Sequence, residues 1–428
     1  MPKDYWETTD PGVPRWAILV ALEASDWYQR FTTEESLDEL ERLAQTAGIQ
    51  VGARVVQKRR SPHPGYFIGK GKSREVGDLC DEMGCDMVIL DDELSPAQIR
   101  NLEDLLELDV WDRTALILDI FYRRASSKEA KLQVELARLQ YLLPRLVGRG
   151  NELSRLAGGI GTRGRGEQKL EIDRRHIRQQ ISDTQEKLQE VKKQRQARRQ
   201  NRRKHNLPVV SLVGYTNAGK STLLTQLTGT QVTARDELFN TLDPKLSKLE
   251  LPSNTPVLIS DTVGFINKLP HHLVAAFHAT LEEVEEADLI LHVIDAATPR
   301  MEEEMEAVDE VLSSLETGDK PLVRVYNKMD KLEDPDPELY DNFPRAVPIS
   351  ALRGQGLDQL VRCIKHHLES SWVRTRFFIP YHREDLRAWL HETGEVLNVD
   401  YNESGMDIYA RIPPHEKARL EKVLDRDE

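Results

Sequence analysis

The chain has 428 residues, 39% of them hydrophobic and 31% charged, with a formal net charge of −13; at roughly 100 to 200 residues per domain, this predicts two to four globular domains rather than one core. No run approaches the roughly 18 apolar residues of a membrane span, and the opening Met-Pro-Lys-Asp-Tyr-Trp lacks the layout of a secretory signal. Stable membrane insertion is therefore not expected, the expected location is the cytoplasm with at most a peripheral membrane-associated fraction, and Cys80, Cys85 and Cys363, with no paired spacing, indicate neither a disulfide framework nor a zinc site.

Residues 1–111 alternate in type. Trp16 to Glu23 is an apolar run of strand length, Ser36 to Ala47 carries Leu37, Leu40, Leu43 and Ala44 at helical spacing, and a further strand is expected around Val51 to Gln57. A Pro/Gly-rich loop (Ser61 to Gly71), a helix (Lys72 to Met83), a buried strand (Met87 to Leu90), a helix opened by Pro96 and a short strand (Asp109 to Trp111) follow. Strands alternating with helices predict a parallel α/β domain.

Residues 112–205 change character. One continuous helix is expected from Arg113 to Leu143, with Pro144 ending or bending it, then a glycine-dense stretch from Gly158 to Gly166, then a second long helix from Glu167 to Arg203. The two helices are expected to form an antiparallel pair. Between Phe121 and His205 there are 23 Lys and Arg against 9 Asp and Glu, a local charge of +14 that leaves −27 on the rest. A basic segment on an acidic protein is the electrostatic footprint of a polyanion partner, although a merely solvated helix would carry the same charges.

Residues 206–369 return to βα alternation, with strands near Val209–Val213, Val257–Asp261, Leu289–Asp295, Leu322–Asn327 and Ala346–Ile349. Residues 370–428 read as β-α-β-β-α, a small α+β appendage. The expected fold class is thus α/β: an N-terminal α/β domain, a long helical pair, a P-loop domain and a small α+β domain.

Chemistry concentrates in the third segment. Gly214-Tyr215-Thr216-Asn217-Ala218-Gly219-Lys220-Ser221 is a complete G-x-x-x-x-G-K-[ST], with Thr222 beside it, set between an apolar strand and an amphipathic helix. The glycines let backbone N–H groups turn inward around phosphates, Lys220 reaches the β and γ oxygens, and Ser221 binds Mg²⁺. Asn327-Lys328-Met329-Asp330 lies on a strand end about a hundred residues later. The Asp330 carboxylate can accept both hydrogen bonds from the N1–H and N2–H₂ edge of guanine, a pair that adenine does not offer. Asn327 would brace that loop, Lys328 would cover the base, and Ser350-Ala351-Leu352 would close the pocket.

Asp261-Thr262-Val263-Gly264 supplies a Mg²⁺-side aspartate and an amide, that of Gly264, for the γ-phosphate; Thr241 is the candidate switch threonine that closes on Mg²⁺. The set resembles that of the translation-factor-type GTPases, and Lys220, Thr241 and Gly264 are the expected catalytic contacts. Phe265 stands where Ras-like GTPases place the glutamine that orients water, so turnover alone is expected to be slow. Two completions fit, a partner or a monovalent cation. Asn217 favours K⁺, since G-x-x-N-x-G-K-S loops resemble those of potassium-dependent GTPases. His271, His272 and His278 read as surface or packing residues rather than bases.

The stretch from Gly158 to Gly166 follows a helix, which excludes a dinucleotide fingerprint; with Arg155, Arg163, Arg165 and Lys169 it suits contact with RNA phosphates or a flexible connector. Gly65 to Lys72 reads as a turn before a helix, with a second nucleotide site as the minority reading.

With these pieces placed, the chain resembles the HflX-type ribosome-associated GTPases. The resemblance rests on Gly69-Lys70-Gly71-Lys72, Asp91-Asp92-Glu93-Leu94-Ser95-Pro96-Ala97-Gln98, Asp112-Arg113-Thr114, Gln133-Val134-Glu135-Leu136, Pro144-Arg145-Leu146, Gly158-Gly159-Ile160-Gly161-Thr162-Arg163-Gly164, Gly214-Tyr215-Thr216-Asn217 and Asp261-Thr262-Val263-Gly264-Phe265-Ile266. It implies binding of GTP and GDP with Mg²⁺, association with the large ribosomal subunit and its rRNA through the basic helices and glycine loop, ribosome-stimulated hydrolysis, and splitting or rescue of stalled ribosomes under stress. Phe265 agrees with the family pattern, Arg165 replaces an expected proline, and beyond Leu352 the likeness is loose. A monomer is expected. The competing readings are an ATP-dependent RNA remodeller with a second nucleotide site in the N-terminal domain, and a GTP-dependent regulatory adaptor.

Overall fold

The computed structural model describes residues 15–25, 30–146, 163–204, 207–229, 238–239, 245–252, 256–268, 278–315, 320–333, 344–370 and 372–424. The chain divides into two compact units. One comprises Met1–Asn201, Arg235–Asp243 and Val263–Leu281, the other Arg202–Ala234, Pro244–Thr262 and Glu282–Glu428.

In the first unit, β1 (Arg15–Ala24), β2 (Ile49–Arg59), β3 (Met87–Leu90) and β4 (Asp109–Asp112) form an all-parallel sheet in the order β2-β1-β3-β4. The crossovers are α1 (Thr33–Thr46), α2 (Lys70–Met83) and α3 (Pro96–Leu106). Both α1 and α3 begin with reciprocal capping boxes, Thr32 with Glu35 and Ser95 with Gln98, which satisfy otherwise orphaned backbone donors. Ile18, Val20, Leu22, Val76, Val88, Leu90, Ile99 and Leu102 fill the core on one side of this sheet.

Asp112 caps α4 (Arg113–Arg124) through the Ala115 amide and also receives the Tyr141 hydroxyl at 2.8 Å and Arg145 at 3.0 Å, which fixes α5 (Lys128–Arg145) against the end of β4. The continuous helix expected from Arg113 to Leu143 is therefore two helices. Ala125 leaves the helical region at ψ 113° and the Ser127 hydroxyl caps α5 by accepting from the Ala130 amide. Pro144 sits in the last turn of α5, close to the expected end. The next described helix, α6, runs from Arg163 to Lys204, so part of the expected glycine loop is helical, although each glycine disfavours helix by about 1 kcal/mol against alanine; nothing in the described contacts explains that extension. Residues 158–162 lie outside the described set. On α6, Ile177, Thr184 and Leu188 are buried, a stripe at seven- and four-residue intervals, and Arg195 pairs with Glu129 of α5 at 3.0 Å.

In the second unit a six-stranded sheet has the order β10-β9-β8-β5-β7-β6, made from β5 (Val209–Val213), β6 (Lys245–Glu250), β7 (Pro256–Asp261), β8 (Leu289–Asp295), β9 (Leu322–Asn327) and β10 (Ala346–Pro348). All pairs are parallel except the edge pair β6/β7. Strand order runs outward from β5 in both directions, so the crevice at the carboxyl end of β5 is the topological switch point where open α/β sheets bind ligands. Helices α7 (Lys220–Thr228), α8 (His278–Glu285), α9 (Met301–Ser314) and α10 (Leu357–Ser370) accompany it. Strand β6 has no counterpart in the sequence reading: its Leu246 and Leu249 are three apart, a helical spacing, and pairing with β7 overrides it.

The final segment is β11 (Val373–Pro380), α11 (Glu384–Thr393), β12 (Glu395–Tyr401), β13 (Gly405–Ile412) and α12 (Pro414–Leu424), an antiparallel sheet in the order β11-β13-β12. Leu386, Leu390 and Leu420 of the two helices pack on Phe377, Ile379, Ile408 and Ile412. Among the described residues no helix is long and apolar enough to cross a membrane.

Candidate functional site

The loop after β5 is shaped by close approaches to its backbone, from the Val293 main chain at Gly214 and from the Asn327 side chain at Gly219. Gly214 has φ 153°, and a Cβ there would stand 2.2 Å from the Val293 carbonyl of β8; Gly219 has φ 96°, and its Cβ would stand 2.2 Å from the Asn327 amide. Neither position accommodates a side chain. Asn217 occupies the left-handed region at φ 61°, where asparagine is the side chain most readily tolerated after glycine. The Ala218 amide donates to the Tyr215 carbonyl at 3.3 Å, closing the turn across Thr216.

Lys220 is buried at the start of α7 and donates to the Gly214 and Tyr215 carbonyls at 2.9 and 2.8 Å. Burial pulls its ammonium down to about 8, with Asp261 acting in the opposite sense. An anionic ligand in the loop would supply the countercharge that burial withholds. The next residue, Ser221, donates its hydroxyl to Asp261 Oδ2 at 2.7 Å, so a hydroxyl and a carboxylate from β7 converge. Thr222 follows on α7, and Leu223 and Leu224, both fully buried, anchor that helix in the core. Thr262 is tied by its hydroxyl to the Leu212 carbonyl at 2.7 Å, which fixes the end of β7 beside β5.

The base-side loops are joined by one side chain. Asn327, 2% exposed, donates from Nδ2 to the Ala218 carbonyl at 2.8 Å and accepts at Oδ1 from the Ala351 amide at 2.9 Å, linking phosphate loop, β9 and the loop after β10. Lys328 takes φ 65° and pairs with Asp295 at 2.6 Å, and the Met329 amide donates to the Ile349 carbonyl. Asp330 accepts from the Ser350 hydroxyl at 2.5 Å; that hydrogen bond is the main reason its carboxyl lies below the usual range, so it is an anion at neutral pH. The aspartate that pairs with Lys328 is absent from the sequence reading; its place at the end of β8 was the available signal. Leu352 is 72% exposed beside these groups, an apolar surface of the kind a flat ring can cover.

Gly214 to Thr222, Asp261, Thr262, Asn327 to Asp330 and Ser350 to Leu352 thus lie in one unit, at the carboxyl ends of β5, β7, β9 and β10. Val263, Gly264 and Phe265 belong to the segment grouped with the first unit, and Val263 and Phe265 are buried there. Thr241, His271 and His272 lie outside the described residues, and His278 is described only as the start of α8. Among the described residues no three His, Cys, Asp or Glu side chains group as a metal site; a Mg²⁺ bound chiefly through phosphate oxygens and water needs only one or two protein ligands, which Ser221 and Asp261 can supply.

At Gly65 to Lys72, the minority site, the amides of residues 65–68 are engaged within the turn that precedes α2. The Gly65 and Tyr66 amides both donate to His63 Nδ1, the Phe67 amide to the His63 carbonyl and the Ile68 amide to the Tyr66 carbonyl.

Three family models match in succession: GTP-binding GTPase N-terminal over residues 34–122, GTP-binding GTPase Middle Region over 124–202, and 50S ribosome-binding GTPase over 209–328. A GTPase HflX of Caldanaerobacter subterraneus subsp. tengcongensis is 48% identical over 408 residues, 95% of this chain and 93% of the relative. The GTPase HflX of Escherichia coli K12 is 44% identical over 408 residues, 94% and 95% of the two chains. A GTP-binding protein from Sulfolobus solfataricus solved with GDP is 26% identical, with a TM-score of 0.44 over 83% of this chain and 99% of that one. Identity of this extent over nearly the whole length leaves one assignment: the chain belongs to the HflX family of GTPases, with GTP binding and hydrolysis as its activity.

Proposed function

We propose that the protein uses GTP as a switch to bind the large ribosomal subunit and to split or rescue stalled ribosomes under stress. The observation that carries this reading is the pairing of a nucleotide-shaped pocket with a basic helix in one chain. Helix α6 alone holds 15 Lys and Arg against 6 Asp and Glu, in a protein whose net charge is −13. The description of the matching family model as a 50S ribosome-binding GTPase supports rRNA as the polyanion. The glycine-rich stretch before α6 and the arginines around it are assigned to the same contact, and the protein acts as a monomer.

In the pocket, the amides of Gly214 to Ser221 cradle the phosphates, Lys220 exchanges its two loop carbonyls for β and γ oxygens, and Asp330 reads the guanine edge. Ser221, Asp261 and Thr241 would hold Mg²⁺, which would neutralise charge on the phosphate oxygens. The Gly264 amide and Thr241 report the γ-phosphate. Phe265 has no hydrogen-bonding group for water, so hydrolysis is slow until the ribosome, or a K⁺ held by Asn217, completes the site. GTP hydrolysis then releases the protein.

Cosedimentation with separated ribosomal subunits tests the reading. Pelleting with the large subunit in a non-hydrolysable GTP analogue, weaker in GDP and falling steeply with salt, is the expected result. A salt-insensitive interaction, or equal pelleting in both nucleotides, overturns it in favour of the regulatory adaptor. The ATP-dependent remodeller is not favoured, since the matching relatives and the matching family model over the phosphate loop are GTPases.

A further inference from the structure

The first unit contains a buried ionic cluster that nucleotide binding does not use. The Arg113 guanidinium, 1% exposed at the start of α4, donates Nη1 to Asp91 Oδ1 at 2.7 Å and Nη2 to Glu39 of α1. Its third edge, Nε, donates at 3.2 Å to the backbone carbonyl of Asn267. The adjacent Lys268 places its ammonium 2.5 Å from Asp91 Oδ2 and 2.6 Å from Asp92 Oδ1. Ser36 completes the shell of Asp91 at 2.6 Å. Asn267 and Lys268 come three and four residues after Gly264, on the segment that follows the end of β7.

Two features show that this segment is held rather than resting. Lys268 has φ 53°, in the left-handed region that a lysine avoids without compensating contacts. Asp91 and Asp92 are adjacent and buried, and the cations set against them are Arg113 and Lys268. Burial pushes the Asp92 carboxyl up while Lys268 draws it back, so withdrawing Lys268 leaves three buried carboxylates, Glu39, Asp91 and Asp92, facing Arg113. The same helix reaches the other flanking segment. Phe121, two turns along α4, packs edge-to-face on Phe239 at 4.6 Å, and Phe239, two residues before Thr241, is also left-handed at φ 57°.

We propose that Lys268 and Arg113, through Asp91 and Asp92, are positioning residues that pre-organise the segment bearing Gly264 for the γ-phosphate. This rests on the reading of Gly264 and Thr241 as γ-phosphate contacts. An anchored segment loses less conformational freedom when its amide closes on the ligand, so the anchor strengthens binding of the triphosphate and leaves the diphosphate unaffected. The anchor thereby contributes to the choice between GTP and GDP.

The experiment compares the full chain with Lys268→Met, Lys268→Arg and Asp92→Asn by titration with GDP and with a non-hydrolysable GTP analogue. Lys268→Met and Asp92→Asn are expected to weaken the GTP analogue on the order of tenfold with GDP affinity unchanged, and Lys268→Arg to restore most of the loss. An equal loss for both nucleotides marks a merely structural role, and tighter binding of the analogue marks a latch that opposes closure; either overturns the proposal, as does no change. Asp330→Asn serves as the independent control: if it leaves guanine binding intact, the reading of the pocket fails, whatever Lys268 does.

Discussion

Asn327 is the side chain on which the geometry of the nucleotide pocket depends most directly, and its removal has a calculable cost. Asn327→Ala deletes the donor to the Ala218 carbonyl and the acceptor for the Ala351 amide, both set in a buried part of the fold. Each buried backbone group left without a partner costs about 1–3 kcal/mol, so the pair costs about 2–6 kcal/mol. A water entering the space vacated by the amide recovers part of this, which places the expected loss near 2 kcal/mol. With a urea dependence of about 1–3 kcal/mol/M, that moves the unfolding midpoint of the nucleotide-binding domain down by about 1 M. Affinity for a fluorescent GDP analogue falls at least about tenfold, because the phosphate loop and the base loop lose their shared brace. Asn327→Asp discriminates the cause. It keeps an acceptor for Ala351 but sets a carboxylate against the Ala218 carbonyl, so it is expected to lose at least as much. A midpoint shift below about 0.2 M in both variants, with GDP affinity intact, refutes the bracing role.

Two further outcomes are expected. Hydrolysis at constant ionic strength should run faster in K⁺ than in Na⁺, and Asn217→Ala should abolish the difference; equal rates for the unaltered chain in the two salts dispose of a cation at Asn217. His292, buried on β8, has its imidazolium disfavoured by burial and by nearby Arg324 and Lys220, down to about 3 from an ordinary 6.5. Below pH 6.5 the unfolded chain takes up a proton that the folded chain refuses, so stability falls as pH drops from 6.5 toward 3, by about 2–3 kcal/mol at pH 4.5. His292→Leu should flatten that part of the pH–stability curve, and an unchanged slope in urea titrations would show that other groups cause it.

What could be read from residues alone follows the range of the interactions. The phosphate loop, Asn327 to Asp330 and Ser350 to Leu352 are legible because each is a short run whose backbone shape and side-chain chemistry are set within a few residues. The N-terminal alternation is legible for the same reason: capping signals such as Ser95 with Gln98 lie beside the apolar runs they start. The break between α4 and α5 was missed because the leucine stripe from Leu132 masks a two-serine start signal. Strand β6 was missed because its own spacing contradicts its state, and only the partner strand β7 decides it. The cluster around Arg113 was out of reach for a different reason. Its members Glu39, Asp91 and Lys268 stand 74, 22 and 155 residues from Arg113 in sequence, and no local pattern relates them.

That cluster also bears on Phe265. A residue after Gly264 that must orient water has to be polar and exposed to the γ-phosphate, whereas Phe265 and Ile266 are each 4% exposed and Val263 is 6% exposed. Their side chains serve packing, and Lys268 beyond them serves an ion pair with Asp91 and Asp92. A segment committed at so many points to being held cannot also rearrange to supply a water-orienting group, since burying those apolar side chains contributes about 1.5–3 kcal/mol each for the large ones. Separating the two tasks resolves the conflict: under the proposed function the segment presents the Gly264 amide, and a group outside this segment orients the water. Under that reading, hydrolysis is timed by whatever completes the site beside the nucleotide.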